Sequence, residues 1–374
     1  MSRTPLVLIA AGGTGGHLFP AEALATVLSA RGIAVDLATD KRAAPFAGKF
    51  PARQMHVLPA DTVRGRDPIS LARTFARMTS GTMQGMKLLL VERPAAVVGF
   101  GGYPTVPPIL AAWLVRVPRI VHEQNAVMGR ANRMLAGRAT VIATGYPEIF
   151  SEAPHLAVKA VHTGNPVRAA VREAAATPYA APTSGPIRLV VFGGSQGARV
   201  MSELVPGAIE RLSSTLRGRM EVVQQSRPED IDEARAAYAR LGVKAECSAF
   251  FSDLPQRIAH SHLVIARSGA STVAELTVIG RPSILVPLPH ALDQDQLANA
   301  SALAVAGGAL LIRQSDLTAE RLAEELKRLF GEPARLAAMA AAAKAAGRVD
   351  AAERLADEVM RVAGIAQMRQ NTGA

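Results

Sequence analysis

Twice in this chain an apolar run of strand character gives way to a glycine cluster and then to a helical stretch, about half a chain apart. The first instance runs Pro5-Leu-Val-Leu-Ile9, then Ala10-Ala-Gly-Gly-Thr-Gly-Gly-His17, then Leu18-Phe-Pro-Ala-Glu-Ala-Leu24. The second is Leu189-Val-Val-Phe-Gly-Gly-Ser-Gln-Gly-Ala198. Glycines at such a turn let the backbone take positive φ and let a bulky anion come close to the amides. The helix that follows aims its unpaired N–H groups and the positive end of its dipole at the loop. Without a ligand, the same pattern is a tight turn between strand and helix in a parallel sheet. A chain that does this twice is constrained to two similar α/β halves.

The rest of the sequence agrees with that constraint. At 374 residues the chain is long for a single core. In the first half, strands are expected at Leu6–Ala10, Ile33–Ala38, Ala96–Gly99, Arg119–Val121, Thr140–Ala143 and Ala160–His162. The second half offers Ile187–Phe192, Met220–Gln224, Ala245–Ala249, Leu263–Ala266 and Ser283–Val286. Helical stretches separate them, which argues for doubly wound parallel sheets with ligands at the C-terminal strand ends. His162-Thr-Gly-Asn-Pro-Val-Arg168 reads as the hinge. The expected division is a first domain over 1–165, a second over 166–345, and a C-terminal helix and tail over 346–374 that packs back on the first domain. The Ala-rich run Leu336–Ala363 is read as helical and the last ten residues or so as disordered.

Charge separates the halves. Residues 1–165 carry 18 Lys and Arg against 9 Asp and Glu, whereas the remainder is close to neutral within a total of +11. A basic half beside a neutral half points to an anionic surface as partner. Between Asp61 and Arg93 the basic residues Arg64, Arg66, Arg73, Arg77 and Lys87 interleave with Ile69, Leu71, Phe75, Met78, Met83, Met86 and Leu88. That mixture suits a helix lying on an anionic membrane, and equally an ordinary amphipathic helix with one solvated face. Few aromatic residues accompany the basic ones, which counts against single-stranded nucleic acid. The single cysteine, Cys247, excludes an intrachain disulfide framework and fits a reducing compartment. The uncharged stretch Pro94–Val115 is long enough to span a bilayer, but its glycines and prolines make it strand, loop and helix instead. The short apolar run at the N-terminus is too brief for a signal peptide.

Polar clusters then accumulate where the C-terminal strand edges should lie. In the first half these are Gly99-Phe-Gly-Gly-Tyr-Pro104 and His122-Glu-Gln-Asn125; in the second, Arg267-Ser-Gly-Ala-Ser-Thr-Val-Ala-Glu275 follows a strand. Ser268, Ser271 and Thr272 are candidate caps for the helix that starts there, and its first amides can hold an anion. Common nucleotide signatures fail. A P-loop needs Gly-Lys-Ser/Thr, but the first loop ends Gly-Gly-His; the dinucleotide fingerprint lacks its third glycine, which falls on Leu18. Asp40, at the end of the second strand, still leaves ribose binding by a nicotinamide enzyme open. Asp293-Gln-Asp295 sits where a helix begins and reads as a cap or sugar contact rather than a metal site, and no Cys/His ligand spacing is present. His17 closes the first loop, where its Nε2 can take a proton from a hydroxyl or simply hydrogen-bond the backbone.

These motifs together resemble the MurG family, transferases that move N-acetylglucosamine (GlcNAc) from UDP-GlcNAc to undecaprenyl-pyrophosphoryl-MurNAc-pentapeptide (lipid I), giving lipid II. The matching pieces are G-G-T-G-G-H at 12–17, G-F-G-G-Y at 99–103, H-E-Q-N at 122–125, G-N-P-V-R at 164–168, G-G-S-Q-G at 193–197, R-S-G-A-S-T-V-A-E at 267–275 and D-Q-D-Q-L-A-N-A at 293–300. The resemblance implies the glycosyltransferase B fold, two Rossmann-like domains facing across a cleft. It implies donor contacts at Thr14, Gly15, Gly16, Asn125, Arg168, Ser195, Phe251, Ala270, Ser271, Thr272, Val273, Ala274, Glu275 and Gln296. Glu275 would accept the ribose hydroxyls, Ser195 and the 270–273 turn would hold the pyrophosphate, Phe251 would meet the uracil edge, and Gln296 and Asn299 would meet sugar hydroxyls. Acceptor contacts are implied at Gly101, Gly102, Tyr103, Glu123 and Asn125, with His17 as catalytic base and Glu123 as its rival. Neither a cofactor nor a metal is expected. The place of action is the cytoplasmic face of the inner membrane, peripherally, against anionic lipids. One departure stands out: some family members carry paired glutamines where this chain has Asp295-Gln296, so one donor-sugar contact differs. The alternatives are another UDP-sugar enzyme of the same fold (a glycolipid synthase or a UDP-GlcNAc 2-epimerase) and a non-catalytic binder of anionic lipid or nucleic acid.

Overall fold

The computed structural model describes residues 4–13, 15–41, 50–61, 67–151, 153–194, 199–289 and 293–365. Thr14 and Ser195, together with Arg64, Arg66 and the last nine residues, lie outside the described residues. The chain divides into two compact units, residues 1–168 with 350–374, and residues 169–349.

The first unit holds a seven-stranded parallel sheet. Its strands are β1 (Leu6–Ala10), β2 (Ala34–Thr39), β3 (Gln54–Val57), β4 (Ala96–Gly99), β5 (Arg119–Glu123), β6 (Val141–Thr144) and β7 (Ala160–His162), in the order β3-β2-β1-β4-β5-β6-β7. The central strands read as continuous apolar runs because helices cover both faces; every residue of β1 and of β4 is buried. The switch in strand order lies between β1 and β4, whose C-terminal ends carry the glycine clusters at Gly12 and Gly101. Helix α1 (Gly15–Ala30) lies on one face, where its Leu18, Leu24 and Leu28 join Val7, Ile9 and Leu37. Helices α2 (Pro68–Glu92), α3 (Val106–Leu114) and α4 (Arg130–Ala136) follow in chain order, and Leu89, Ile109 and Leu135 pack against Leu8, Val97 and Val121 on the other face.

The second unit repeats the design with six parallel strands: β8 (Ile187–Phe192), β9 (Met220–Gln225), β10 (Lys244–Ser248), β11 (Leu263–Ala266), β12 (Ser283–Leu285) and β13 (Ala309–Leu311), in the order β10-β9-β8-β11-β12-β13. Two strands were absent from the sequence expectation, β3 and β13, and each is an outer strand of its sheet. β3 is Gln-Met-His-Val with three exposed residues, and β13 is the helix-favouring Ala-Leu-Leu. An outer strand is buried less completely, so its composition carries less of the signal.

The Ala-rich tail is helical, in two pieces, Pro333–Ala346 and Ala351–Ala363. The break falls at Gly347, which packs so tightly on the helix Ala270–Ile279 that an added Cβ would lie 2.6 Å from the Thr277 carbonyl. The first tail helix belongs to the second unit. The second returns to the first unit, where Leu355, Ala356 and Val359 complete the core under α1 and Asp357 pairs with Arg31 at 2.6 Å.

Candidate active site

In the first unit the opening loop is tied down by its neighbours. Gly13 adopts φ +84°, and its amide donates to Asp40 Oδ1 at 3.3 Å. Asp40 therefore ties the loop to the end of β2 through Oδ1. His17, half-buried in the first turn of α1, lays its ring on the second glycine cluster. A Cβ on Gly102 would stand 3.3 Å from His17 Nε2 and Cδ2, and one on Gly101 3.4 Å from Cε1. The two motifs, about 85 positions apart, thus form one surface at the sheet's C-terminal edge. Tyr103 opens the 3₁₀ turn Tyr103–Thr105 that follows.

The third cluster ends β5 and is mostly interior. His122 is fully buried, tilted against the Phe100 ring at 5.3 Å, with Nε2 3.1 Å from the Gly164 carbonyl. Burial pushes its imidazole down to about 4, so the ring is neutral at physiological pH and Nε2–H is the donor to Gly164. Glu123 is only 1% exposed. Its Oε1 accepts from the Asn125 amide (2.9 Å) and Asn125 Nδ2 (3.1 Å); its Oε2 accepts from the Gly129 amide (3.0 Å) and Asn132 Nδ2 (2.8 Å). Burial pushes this carboxyl above its ordinary range, and the four donors oppose that shift. The loop 124–129 is consequently wrapped around a carboxylate. Asn132, on α4, also donates to the His122 carbonyl at 3.1 Å and is a site residue that sequence reasoning missed. It belongs to no glycine or acidic motif, and only the fold brings it beside Glu123. Arg168, expected at the donor, stacks its guanidinium 4.0 Å over the Phe19 ring of α1, two residues after His17.

The second unit's edge is organised differently. Gly194, with φ +78°, ends the described part of the G-G-S-Q-G turn. After β11, Arg267 is 8% exposed; its Nη1 donates to the Val286 and Pro287 carbonyls (both 3.0 Å) and its Nη2 to Gln314 Oε1 (2.6 Å). Desolvation pulls its pKa below the usual arginine value. The helix Ala270–Ile279 starts after Gly269 with no side-chain cap. The expected cap Ser268 instead donates from Oγ to the Gln296 carbonyl at 2.7 Å. Ala270, Ser271 and Thr272 are half-buried in the first turn, and Val273, Ala274 and Glu275 are buried behind it. Gln296 lies in the first turn of the helix Asp295–Val305, with Oε1 accepting from the Leu288 amide at 3.1 Å. Asn299, expected at a sugar hydroxyl, is fully buried and donates to the Ser268 carbonyl at 3.1 Å, so it is an internal tie. Asp293 does not cap that helix, which begins after Gln294 in the left-handed region. Phe251 is buried beyond β10 with the Arg257 guanidinium 4.4 Å over its ring.

Comparison with known proteins agrees with this architecture. Residues 7–144 match the glycosyltransferase family 28 N-terminal domain and residues 188–355 the corresponding C-terminal domain. A UDP-N-acetylglucosamine–N-acetylmuramyl-(pentapeptide) pyrophosphoryl-undecaprenol N-acetylglucosamine transferase from Rhodopseudomonas palustris is 58% identical over 362 residues, 96% of each chain. The enzyme of the same name from a Bradyrhizobium is 57% identical over 97% of this chain and 100% of its own. The chain belongs to the MurG family. Among solved structures, Acinetobacter baumannii MurG superposes with a TM-score of 0.78 at 27% identity, covering 96% of this chain and 99% of that one. A UDP-N-acetylglucosamine 2-epimerase at 15% identity and a TM-score of 0.67 shares the fold alone. Both units of this MurG-family chain are Rossmann-like and parallel, the glycosyltransferase B arrangement.

Proposed function

We infer that this chain transfers GlcNAc from UDP-GlcNAc to the MurNAc 4-hydroxyl of lipid I, forming lipid II, with His17 as the base. The hydroxyl oxygen forms the new bond to donor C1 as the C1–O bond to UDP breaks with its electron pair. The hydroxyl proton goes to His17 Nε2, the anomeric centre inverts, and the link is β-1,4. One observation carries the choice of base: both Glu123 oxygens are already occupied by four donors inside the unit, whereas His17 lies half-buried on the glycine surface. Glu123 then acts by holding Asn125 and its loop in place. On the donor side, the uncapped start of helix Ala270–Ile279 supports pyrophosphate binding, because its N–H groups and dipole favour the charge that grows as UDP leaves. Glu275 is assigned to the ribose, Gln296 to the sugar, and Phe251 to the uracil edge.

The test compares His17→Ala and Glu123→Gln in turnover, with UDP-GlcNAc affinity measured separately. His17→Ala is expected to lower kcat by roughly 10²–10⁴-fold with donor affinity retained. Near-normal turnover in that variant would remove His17 from the role.

The acceptor's lipid requires the enzyme at a membrane, and α2 supplies the surface. No helix among the described residues is long and apolar enough to cross a bilayer. α2 packs closely at its glycines as well as through Leu89: an added Cβ on Gly81 would lie 2.0 Å from the Pro59 carbonyl oxygen, and one on Gly85 3.0 Å from Ala111 Cβ. Three of its large apolar side chains point out, with Ile69 at 73%, Phe75 at 75% and Met83 at 66% exposure. A groove of about 370 Å³ lined by Trp113, Leu114, Arg116 and Arg119 lies at the end of α3. Exposed apolar groups with cations beside them match an anionic bilayer surface. Phe75→Ser with Met83→Ser should weaken binding to anionic phospholipid vesicles while sparing turnover of a water-soluble acceptor. Unchanged vesicle binding would exclude α2 as the contact.

A further inference from the structure

The polar knot at the second unit's edge fixes the orientation of one amide, and a residue outside every motif holds that knot in place. Gln296 Oε1 faces a backbone N–H, that of Leu288, so the oxygen is the atom engaged there and Nε2 is left as a pure donor. Among the described residues Nε2 has no protein partner. The backbone of Gln296 is itself held by Ser268 Oγ, and Ser268 by Asn299. What places the Leu288 amide is the preceding pair of carbonyls, Val286 and Pro287, both gripped by Arg267 Nη1. The guanidinium in turn is oriented through Nη2 by Gln314 Oε1, from the 3₁₀ turn Gln314–Asp316 after β13. No carboxylate among the described residues pairs with Arg267, so the side-chain amide of Gln314 is the group that completes its ring of acceptors.

We propose that Gln314 is a positioning residue for donor-sugar selection, acting through Arg267 and the 286–288 segment to present Gln296 Nε2 as a hydrogen-bond donor to a sugar hydroxyl. This rests on the assignment of Gln296 to the donor sugar. The chemistry follows from the geometry. A donor amide locked at one end selects a sugar that places a hydroxyl oxygen before it, and an epimer that moves that oxygen leaves the N–H unpaired. Without the Gln314 acceptor, Nη2 loses its partner, the grip on the two carbonyls slackens, and the amide of Gln296 is free to turn. Uracil, ribose and pyrophosphate contacts lie elsewhere in the assignment, so the effect falls on the sugar alone.

The experiment measures KM for UDP-GlcNAc, inhibition by UDP, and the preference for UDP-GlcNAc over UDP-GalNAc in the full-length enzyme, for Gln314→Leu, Gln314→Glu and Gln296→Ala. Gln314→Leu is expected to raise KM for UDP-GlcNAc about tenfold and to erode the preference, with UDP inhibition unchanged. Gln314→Glu, which keeps an acceptor for Nη2, should restore both. Thermal unfolding of each variant separates this from general loss of fold, which would weaken UDP and UDP-GlcNAc together. If Gln296→Ala erodes the preference and Gln314→Leu does not, the proposal is overturned while the sugar assignment stands. If Gln296→Ala itself leaves the preference intact, the sugar assignment fails first, and the proposal with it. A parallel rise in the UDP constant for Gln314→Leu also overturns it.

Discussion

The two sheet edges are built around buried charges of opposite sign. The first unit gathers N–H donors about a carboxylate: Glu123 takes two from Asn125, one from Gly129 and one from Asn132. The second gathers acceptors about a guanidinium: Arg267 takes the Val286 and Pro287 carbonyls and the Gln314 amide oxygen. The second edge presents the start of the helix Ala270–Ile279 with no side-chain cap, an arrangement that suits a diphosphate. That contrast accords with the proposal that places acceptor chemistry at His17 and diphosphate binding at Ala270–Glu275.

Removing each central charge tests that contrast. Glu123→Ala leaves four buried donors without their acceptor and is expected to cost about 4 kcal/mol in denaturant unfolding, with activity falling in step with the folded fraction. A variant that stayed stable would show that the four donors do not depend on this carboxylate for their pairing. Arg267→Met leaves three acceptors unpaired and should cost about 3 kcal/mol, and it should weaken UDP-GlcNAc more than UDP. Equal weakening of both would mean that the guanidinium serves the whole edge and not the sugar end.

His122 gives a pH test within the first edge. Its folded value of about 4 lies below the ordinary 6.5, so the native state refuses a proton that the unfolded chain accepts. Nothing is lost above pH 6.5; stability falls as pH drops through the window from 6.5 toward 4, by about 2 kcal/mol at pH 5. Glu123, pushed upward by burial, works in the opposite direction, so the readout is the difference between wild type and His122→Gln. That substitution keeps a donor for the Gly164 carbonyl and should flatten the acid limb of the stability curve. An unaltered limb would show that His122 is not the group responsible. The smallest effect is expected from Asp40→Asn, about 1 kcal/mol, because its oxygen can still accept from Gly13. A large loss of cofactor-type binding there would reopen the ribose reading.

Much of this protein was legible in the order of its residues. The two strand–glycine–helix units, most of the strands, and the sheet edges that bear the polar motifs follow from local rules: apolar runs for doubly covered strands, glycine where φ must be positive, and helical stretches between. The motif set also led to the family. The outer strands β3 and β13 escaped because their residues answer to one neighbour and partial burial. Alanine marks the whole tail as helical, whereas the break between its two helices depends on contact between Gly347 and the helix Ala270–Ile279. Likewise, the Asp61–Arg93 stretch looked evenly amphipathic, and only packing revealed that α2 buries its glycines and exposes its phenylalanine.

Tertiary structure alone decided the roles of the polar residues within the motifs. A sequence shows that Glu123, Asn299, Asp40 and Arg267 stand near a strand end; it does not show which of their oxygens and nitrogens are already taken. Glu123, Asn299 and Asp40 are engaged inside their own unit, by partners 2 to 31 positions away. Gln314 and Asn132 became visible for the same reason, since a hydrogen-bond partner is defined by distance in space and carries no mark in composition. Buried polar atoms must be satisfied wherever the fold places them. That requirement assigns each group to structure or to substrate only once the chain has folded.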